Sequence, residues 1–407
     1  MNSPGPSAVA HDSALQSSTS RPIGWLVPVL IMLSAAGPLV IGLHTPLAAQ
    51  MASDFHTTAG EVQFTLTTYL LGIALGQLTF GPLSDRFGRR RPLLIGNTAA
   101  SVMCIACAIT TSVHVLALLR FGLGLCFSLG MVLASAIGAD MTEGRKTLRL
   151  FTGLTLAGTV LPLLSPALGT LMANVVGWRG MFITLAILAA VLTLVVALKI
   201  PESLPAQHQL GSQRGSFLTA LRKLLNNRRY LGFGTVRVLT FTSVIGYVSG
   251  MPLVLEHLLD ADEWIYHLVI FGGAVGFGMT MLIADRLTIH CKTSTLIFWG
   301  CSAAAMSSLL LLVLLETGLR SNGLSVALLM AAMTSLGLAV GNSSGLTIDA
   351  ARESAGTGSA IVGCAMFLIG ALLPPIFALA PKASLVTLSA LIAGCAAVAT
   401  VVTARLR

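Results

Sequence analysis

Charge is what this sequence has least of. Only 10% of its 407 residues are Asp, Glu, Lys or Arg, against roughly 25% in soluble globular domains, and that scarcity excludes a water-soluble chain of this length. Long polar segments are equally rare, which leaves no room for a sizeable soluble domain. No G-x-x-x-x-G-K-[ST] run occurs, so an ATP-driven pump of the P-loop type is excluded. There is no His-rich cluster or nucleophile constellation, which speaks against an enzyme, a metal site or a bound cofactor. Residues 1–21 are Ser/Pro-rich and lack the short apolar stretch and small-residue cleavage site of a secretory signal; they read as a disordered cytoplasmic lead.

What remains is apolar. Hydrophobic residues make up 55% of the chain and its mean hydropathy is +0.87. A spanning helix takes about 20 such residues, so the chain accommodates about a dozen. The pattern predicts an all-α integral membrane protein of twelve transmembrane helices in two pseudo-symmetric six-helix bundles. Residues 22–200 form the first bundle, 201–229 a cytoplasmic linker and 230–407 the second bundle. The seven cysteines lie in apolar stretches or predicted inner loops and read as small apolar fillers, Cys104-x-x-Cys107 included.

The net charge of +9 is explained by its placement. Assigning both termini and the even-numbered loops to one face collects 19 of the 24 Lys and Arg there. By the positive-inside rule that face is cytoplasmic, so a multi-pass protein of a cell inner membrane is expected, with lipid around it and no nucleic-acid partner. The densest cluster is Gly81-Pro-Leu-Ser-Asp85-Arg86-Phe-Gly88-Arg89-Arg90-Arg91, read as a loop after the second span. A shift of 200 residues lays Gly76 on Gly276 and Asp85-Arg86 on Asp285-Arg286, which suggests two related halves.

This cluster resembles the loop signature of the major facilitator superfamily, G-x-L-x-D-R-x-G-R-R/K, at Gly81, Leu83, Asp85, Arg86, Gly88, Arg89 and Arg90. Val62-Gln63 through Gly76-Gln77, Tyr247 to Pro252 and Ala355 to Ala360 resemble the bicyclomycin- and chloramphenicol-resistance (Bcr/CflA) branch of proton-coupled drug exporters. The resemblance implies the two-bundle fold and a gating role for the signature and for Asp285-Arg286. Physically, Gly81 and Gly88 are expected to admit a neighbouring helix. Asp85 is expected to meet the glycine-rich helix start at Ser354 to Ser359, an attraction worth about 0.3 to 2 kcal/mol.

Candidates for proton coupling are His44, Arg120 and Asp140. An arginine six residues into a span costs roughly 2.5 to 3.5 kcal/mol or more, and Arg120 sits in a stretch that resembles the branch's span-four motif; snorkelling to the outer interface is the alternative. Arg237 reads as snorkelling to the inner interface. Span five, with Pro162, Pro166 and Gly169, resembles the antiporter motif but has Ser165 and Thr170 where glycines are usual. Relatives of this branch carry an acid four residues before Pro46; that position is Gly42 here. Without it, His44 becomes the titratable group of span one, since imidazole titrates in the physiological range. Polar residues expected in a cavity are Gln63, Thr67, Gln77, Tyr247, Asn342 and Ser343.

The expectation is a secondary transporter, taken as a monomer, that exports small amphipathic molecules in exchange for protons, with the proton gradient as energy source. The missing acid favours neutral or zwitterionic substrates. A transporter for a specific metabolite, such as a sugar or nucleoside, and a substrate sensor on the same fold remain open alternatives.

Overall fold

In lipid a backbone N–H has no water to bond to, so the chain satisfies its amides within helices. The computed structural model describes residues 25–141, 145–203, 214–259, 263–318, 321–351, 354–379 and 384–407, and no strand occurs among them. The expected amino-terminal lead, the loop residues Glu143, Asp260, Asp262, Arg320 and Lys382, and the side chains of Asp85 and Glu256 lie outside what is described.

Six long helices precede a linker helix: α1 (Leu26–Asp54), α2 (Ala59–Phe87), α3 (Arg90–Ile109), α4 (Val113–Met141), α5 (Arg145–Val175) and α6 (Gly177–Lys199). The linker holds α7 (Arg214–Leu225). The second set is α8 (Arg228–Leu259), α9 (Glu263–Leu287), α10 (Thr293–Glu316), α11 (Asn322–Ala350), α12 (Ala355–Gly370), α13 (Leu373–Leu379) and α14 (Ser384–Leu406). Among the described residues, ten helical stretches are long and apolar enough to cross a membrane, one of which runs through α12 and α13. The other two long helices are α5, whose apolar part is Val160–Val175, and α9.

The charged signature is not a loop. Gly81 to Phe87 form the last two turns of α2, and only Gly88 and Arg89 separate it from α3. Gly88 makes that sharp stop with φ of 84°, a backbone geometry that side chains disfavour. Asp285 and Arg286 likewise close the last turn of α9, so the two halves match in structure as well as sequence at this point.

The interiors of the halves also match. In the first, Gly124 of α4 backs onto the Tyr69 carbonyl of α2, and Thr68 Oγ1 donates to the Ala117 carbonyl at 2.8 Å. In the second, Gly337 of α11 faces the Phe277 carbonyl of α9, and Thr280 Oγ1 donates to the Thr334 carbonyl at 2.6 Å. Small residues that bring backbones together are the usual currency of helix association in lipid, where burial gives little drive. The two halves meet where α2 packs against α12 and α13, where α5 packs against α9, and where α1 touches α8.

Candidate functional site

Between the halves lies a cavity of about 190 Å³. Its walls come from both sets of helices: Ser34 of α1, Gln77 of α2, Met131 and Ser135 of α4, Leu154 to Gly158 of α5, Arg237 and Phe241 of α8, Ser344 to Ile348 of α11 and Ser359 to Phe367 of α12. On α1, α2, α4, α5, α8 and α11 these residues fall in the half of the helix nearer the signature end, so the void is displaced towards that end, while on α12 they run along most of the helix. Of the expected cavity residues, Gln77 lines it, and its Nε2 meets Met131 Sδ at 3.8 Å. Gln63, Thr67, Tyr247, Asn342 and Ser343 do not; Ser343 is fully buried and its hydroxyl donates to the Val340 carbonyl. Ser344, one position on, takes the wall position.

Arg237 departs from its expected place. It does not reach back to the helix end but lines the cavity, half-buried, and it is the one charged side chain in the wall among the described residues. A signal existed in the sequence: a cation about seven residues into a span is costly wherever it points.

His44 and Arg120 are brought together. Both are fully buried, and Arg120 Nη1 stands 2.9 Å from His44 Nδ1 and 3.0 Å from Thr65 Oγ1. The guanidinium lies over the Phe182 ring, 5.3 Å from its centroid, a cation–π geometry that replaces part of the lost hydration. The residues come from α1, α2, α4 and α6, so the three contacts of this one side chain tie four helices. Guanidinium nitrogens only donate, so Nδ1 accepts and the ring is neutral with its proton on Nε2. Among the described residues no carboxylate enters this cluster.

The structure also explains the missing acid. A Cβ at Gly42 would overlap Ser165 Oγ and stand 2.6 Å from the Pro162 carbonyl and 2.8 Å from Pro166 Cδ. Ser165 Oγ donates to that same carbonyl at 2.9 Å. Gly169 then backs onto the Leu43 carbonyl, with its would-be Cβ at 2.9 Å. The proline-bearing face of α5 therefore fills the space an acid would occupy, and α1 and α5 form one close seam.

At the signature end, Asp140 stands far along α4 from Arg120 and belongs to a different group. Its Oδ2 accepts from Arg89 Nε at 3.4 Å and from Ser203 Oγ at 3.1 Å, while Arg89 Nη1 donates to Ser84 Oγ at 2.6 Å. Glu202, which the sequence did not single out, accepts from the backbone N–H groups of Arg89 and Arg90 at 2.8 and 3.2 Å and so caps α3. It also sits where a Cβ on Gly88 would point, so Gly88 makes room for this cap and not for a helix. Gly81 faces open space within 4 Å, and no helix among the described residues packs against it there. Arg90 Nη2 donates to the Ala197 carbonyl at 2.5 Å, Arg86 is exposed beside Phe87, and Asp285 and Arg286 are exposed.

The sequence profile of the Major Facilitator Superfamily matches residues 30–375. The MFS-type transporter YdgK of Bacillus subtilis is 28% identical over 86% of this chain and 87% of its own length. Multidrug resistance protein D of Escherichia coli is 28% identical over 57% of this chain and 60% of its own. A bicyclomycin resistance protein homolog of Haemophilus influenzae is 21% identical over 84% of this chain and 86% of its own.

Proposed function

The chain belongs to the Major Facilitator Superfamily and is a multi-pass membrane transporter similar to multidrug-resistance members; from that premise we propose that it exports small amphipathic, neutral or zwitterionic compounds in exchange for protons. The observation that carries the proton half of this reading is the sealed contact between His44 Nδ1 and Arg120 Nη1 at 2.9 Å. The positive-inside bias supports both termini on the cytoplasmic side of an inner membrane, which sets the cavity nearer the cytoplasm.

A proton arriving at Nδ1 consumes the lone pair that Arg120 uses. Two cations about 4 Å apart then repel by about 4 kcal/mol at an effective dielectric near 20, enough to shift a two-state equilibrium roughly a thousandfold. His44 lies ten residues beyond the cavity residue Ser34 on α1, about 15 Å along the helix axis. The seam at Gly42 and Gly169 carries α5 with it, and both helices border the second half. Separation of His44 from Arg120 thus acts on two cavity walls at once.

The test is flux of chloramphenicol in everted membrane vesicles. Uptake that requires an imposed proton gradient, with drug-driven proton movement lost in His44→Ala and binding kept, is the expected result. Uptake indifferent to the gradient, or full proton movement in His44→Ala, refutes the coupling.

A further inference from the structure

We propose that the cavity takes acids and zwitterions in preference to neutral compounds and that Arg237 receives their anionic group, a carboxylate above all; the assignment rests on reading the cavity as the transport site. Arg237 stands in the tenth position of α8, at a depth where a cation without a partner is strongly disfavoured. Its guanidinium makes no hydrogen bond or ion pair among the described residues, in contrast to Arg89, which has Asp140. Among the described residues no Asp or Glu lines the cavity beside it. Arg120 likewise has no Asp or Glu partner among the described residues but is sealed by His44, Thr65 and Phe182; Arg237 instead faces a void that a ligand can enter.

The wall around it fits an amphipathic acid. A guanidinium offers planar paired donors that match a carboxylate and has no acceptor for a cation. One turn along α8, Phe241 meets Phe367 of α12 edge to face, with centroids 5.2 Å apart, and gives an aromatic surface beside the charge. Ser344, Thr347 and Ser359 supply hydroxyls across the cavity. An acid head on Arg237 with its ring against Phe241 satisfies both ends. A permanent cation meets like charge at the same place, which makes Arg237 a specificity residue for acids and zwitterions.

The experiment compares nalidixate with its uncharged carboxamide, using the purified full chain in lipid nanodiscs for binding and proteoliposomes for flux. Wild type is expected to bind the carboxylate about ten- to a hundredfold more tightly than the amide, the range for a charge-assisted hydrogen bond. Arg237→Gln should weaken carboxylate binding about ten- to a hundredfold and so erase that preference, and Arg237→Lys should restore part of it. Restoration by lysine shows the charge and not the fold of the variant to be responsible. Equal binding of both compounds to wild type, or a preference that survives in Arg237→Gln, overturns the assignment. Gradient-driven flux of both compounds at equal rates sinks the anion site and leaves the transport reading standing. Selective carboxylate binding with no flux of either does the reverse, and binding of neither overturns the anion site while chloramphenicol flux decides the transport reading.

Discussion

Replacing Arg120 by methionine should leave the protein about as stable as wild type and stop proton coupling. Arg120 is fully buried, and two of its nitrogens, Nε and Nη2, have no hydrogen-bond partner among the described residues. Removing it gives up two charge-assisted bonds and the contact with Phe182, together a few kcal/mol, but also relieves a cation whose placement costs about 2.5 to 3.5 kcal/mol or more. A methionine of similar length fills the space, and such replacements of buried charges by apolar groups are often neutral or stabilising. His44→Leu is the contrasting change: it keeps the cation and removes its acceptor, at a cost of about 1.5 to 3 kcal/mol. The double variant should then behave like Arg120→Met, which gives a coupling energy of about 1.5 to 3 kcal/mol between the two sites. Thermal unfolding of the four proteins in one detergent, alongside substrate-driven proton movement in vesicles, measures both halves. Additive destabilisation, or an Arg120→Met protein that loses more stability than His44→Leu, refutes the reasoning that this arginine is held against its own cost.

Two further outcomes follow from the helix ends and the seam. Glu202→Ala removes the cap on α3 from the Arg89 and Arg90 amides and should lower stability by about 1 kcal/mol, with faster labelling of a cysteine placed at Ser203; an unchanged melting temperature and labelling rate speak against the cap. Gly42→Asp drives a side chain into Ser165 and the Pro162 carbonyl and should cost about 1 to 3 kcal/mol or more, part of which Ser165→Gly returns; a stable Gly42→Asp protein indicates that α1 and α5 are not in contact there.

The membrane class and the twofold organisation were legible in the sequence because both rest on long-range averages: apolar length, basic-residue bias and a repeated Asp-Arg pair. Helix ends were not. The signature Gly81 to Phe87 reads as a loop because it is polar, yet helices project past the apolar zone and α2 keeps its hydrogen bonding to Phe87. His44 and Arg120 were each legible as isolated costs, but their contact joins positions 76 residues apart that no periodicity connects. Arg237 was visible as a charge in a span, and its direction was not, because the sequence does not say which face of α8 borders the void. Glu202 carried no signal at all: it acts on backbone amides, which every residue has.

The seam between α1 and α5 bears on how this chain can change over generations. Where a glycine merely left a gap, one substitution restores an acid and, with it, a taste for cationic compounds. Here the gap has been taken up by the Pro162 carbonyl and the Ser165 hydroxyl, so the step back passes through a form whose helices no longer fit. On the transport reading proposed above, a return to an acid at position 42 therefore needs a second change in α5, whereas the cavity wall around Arg237 still has open space.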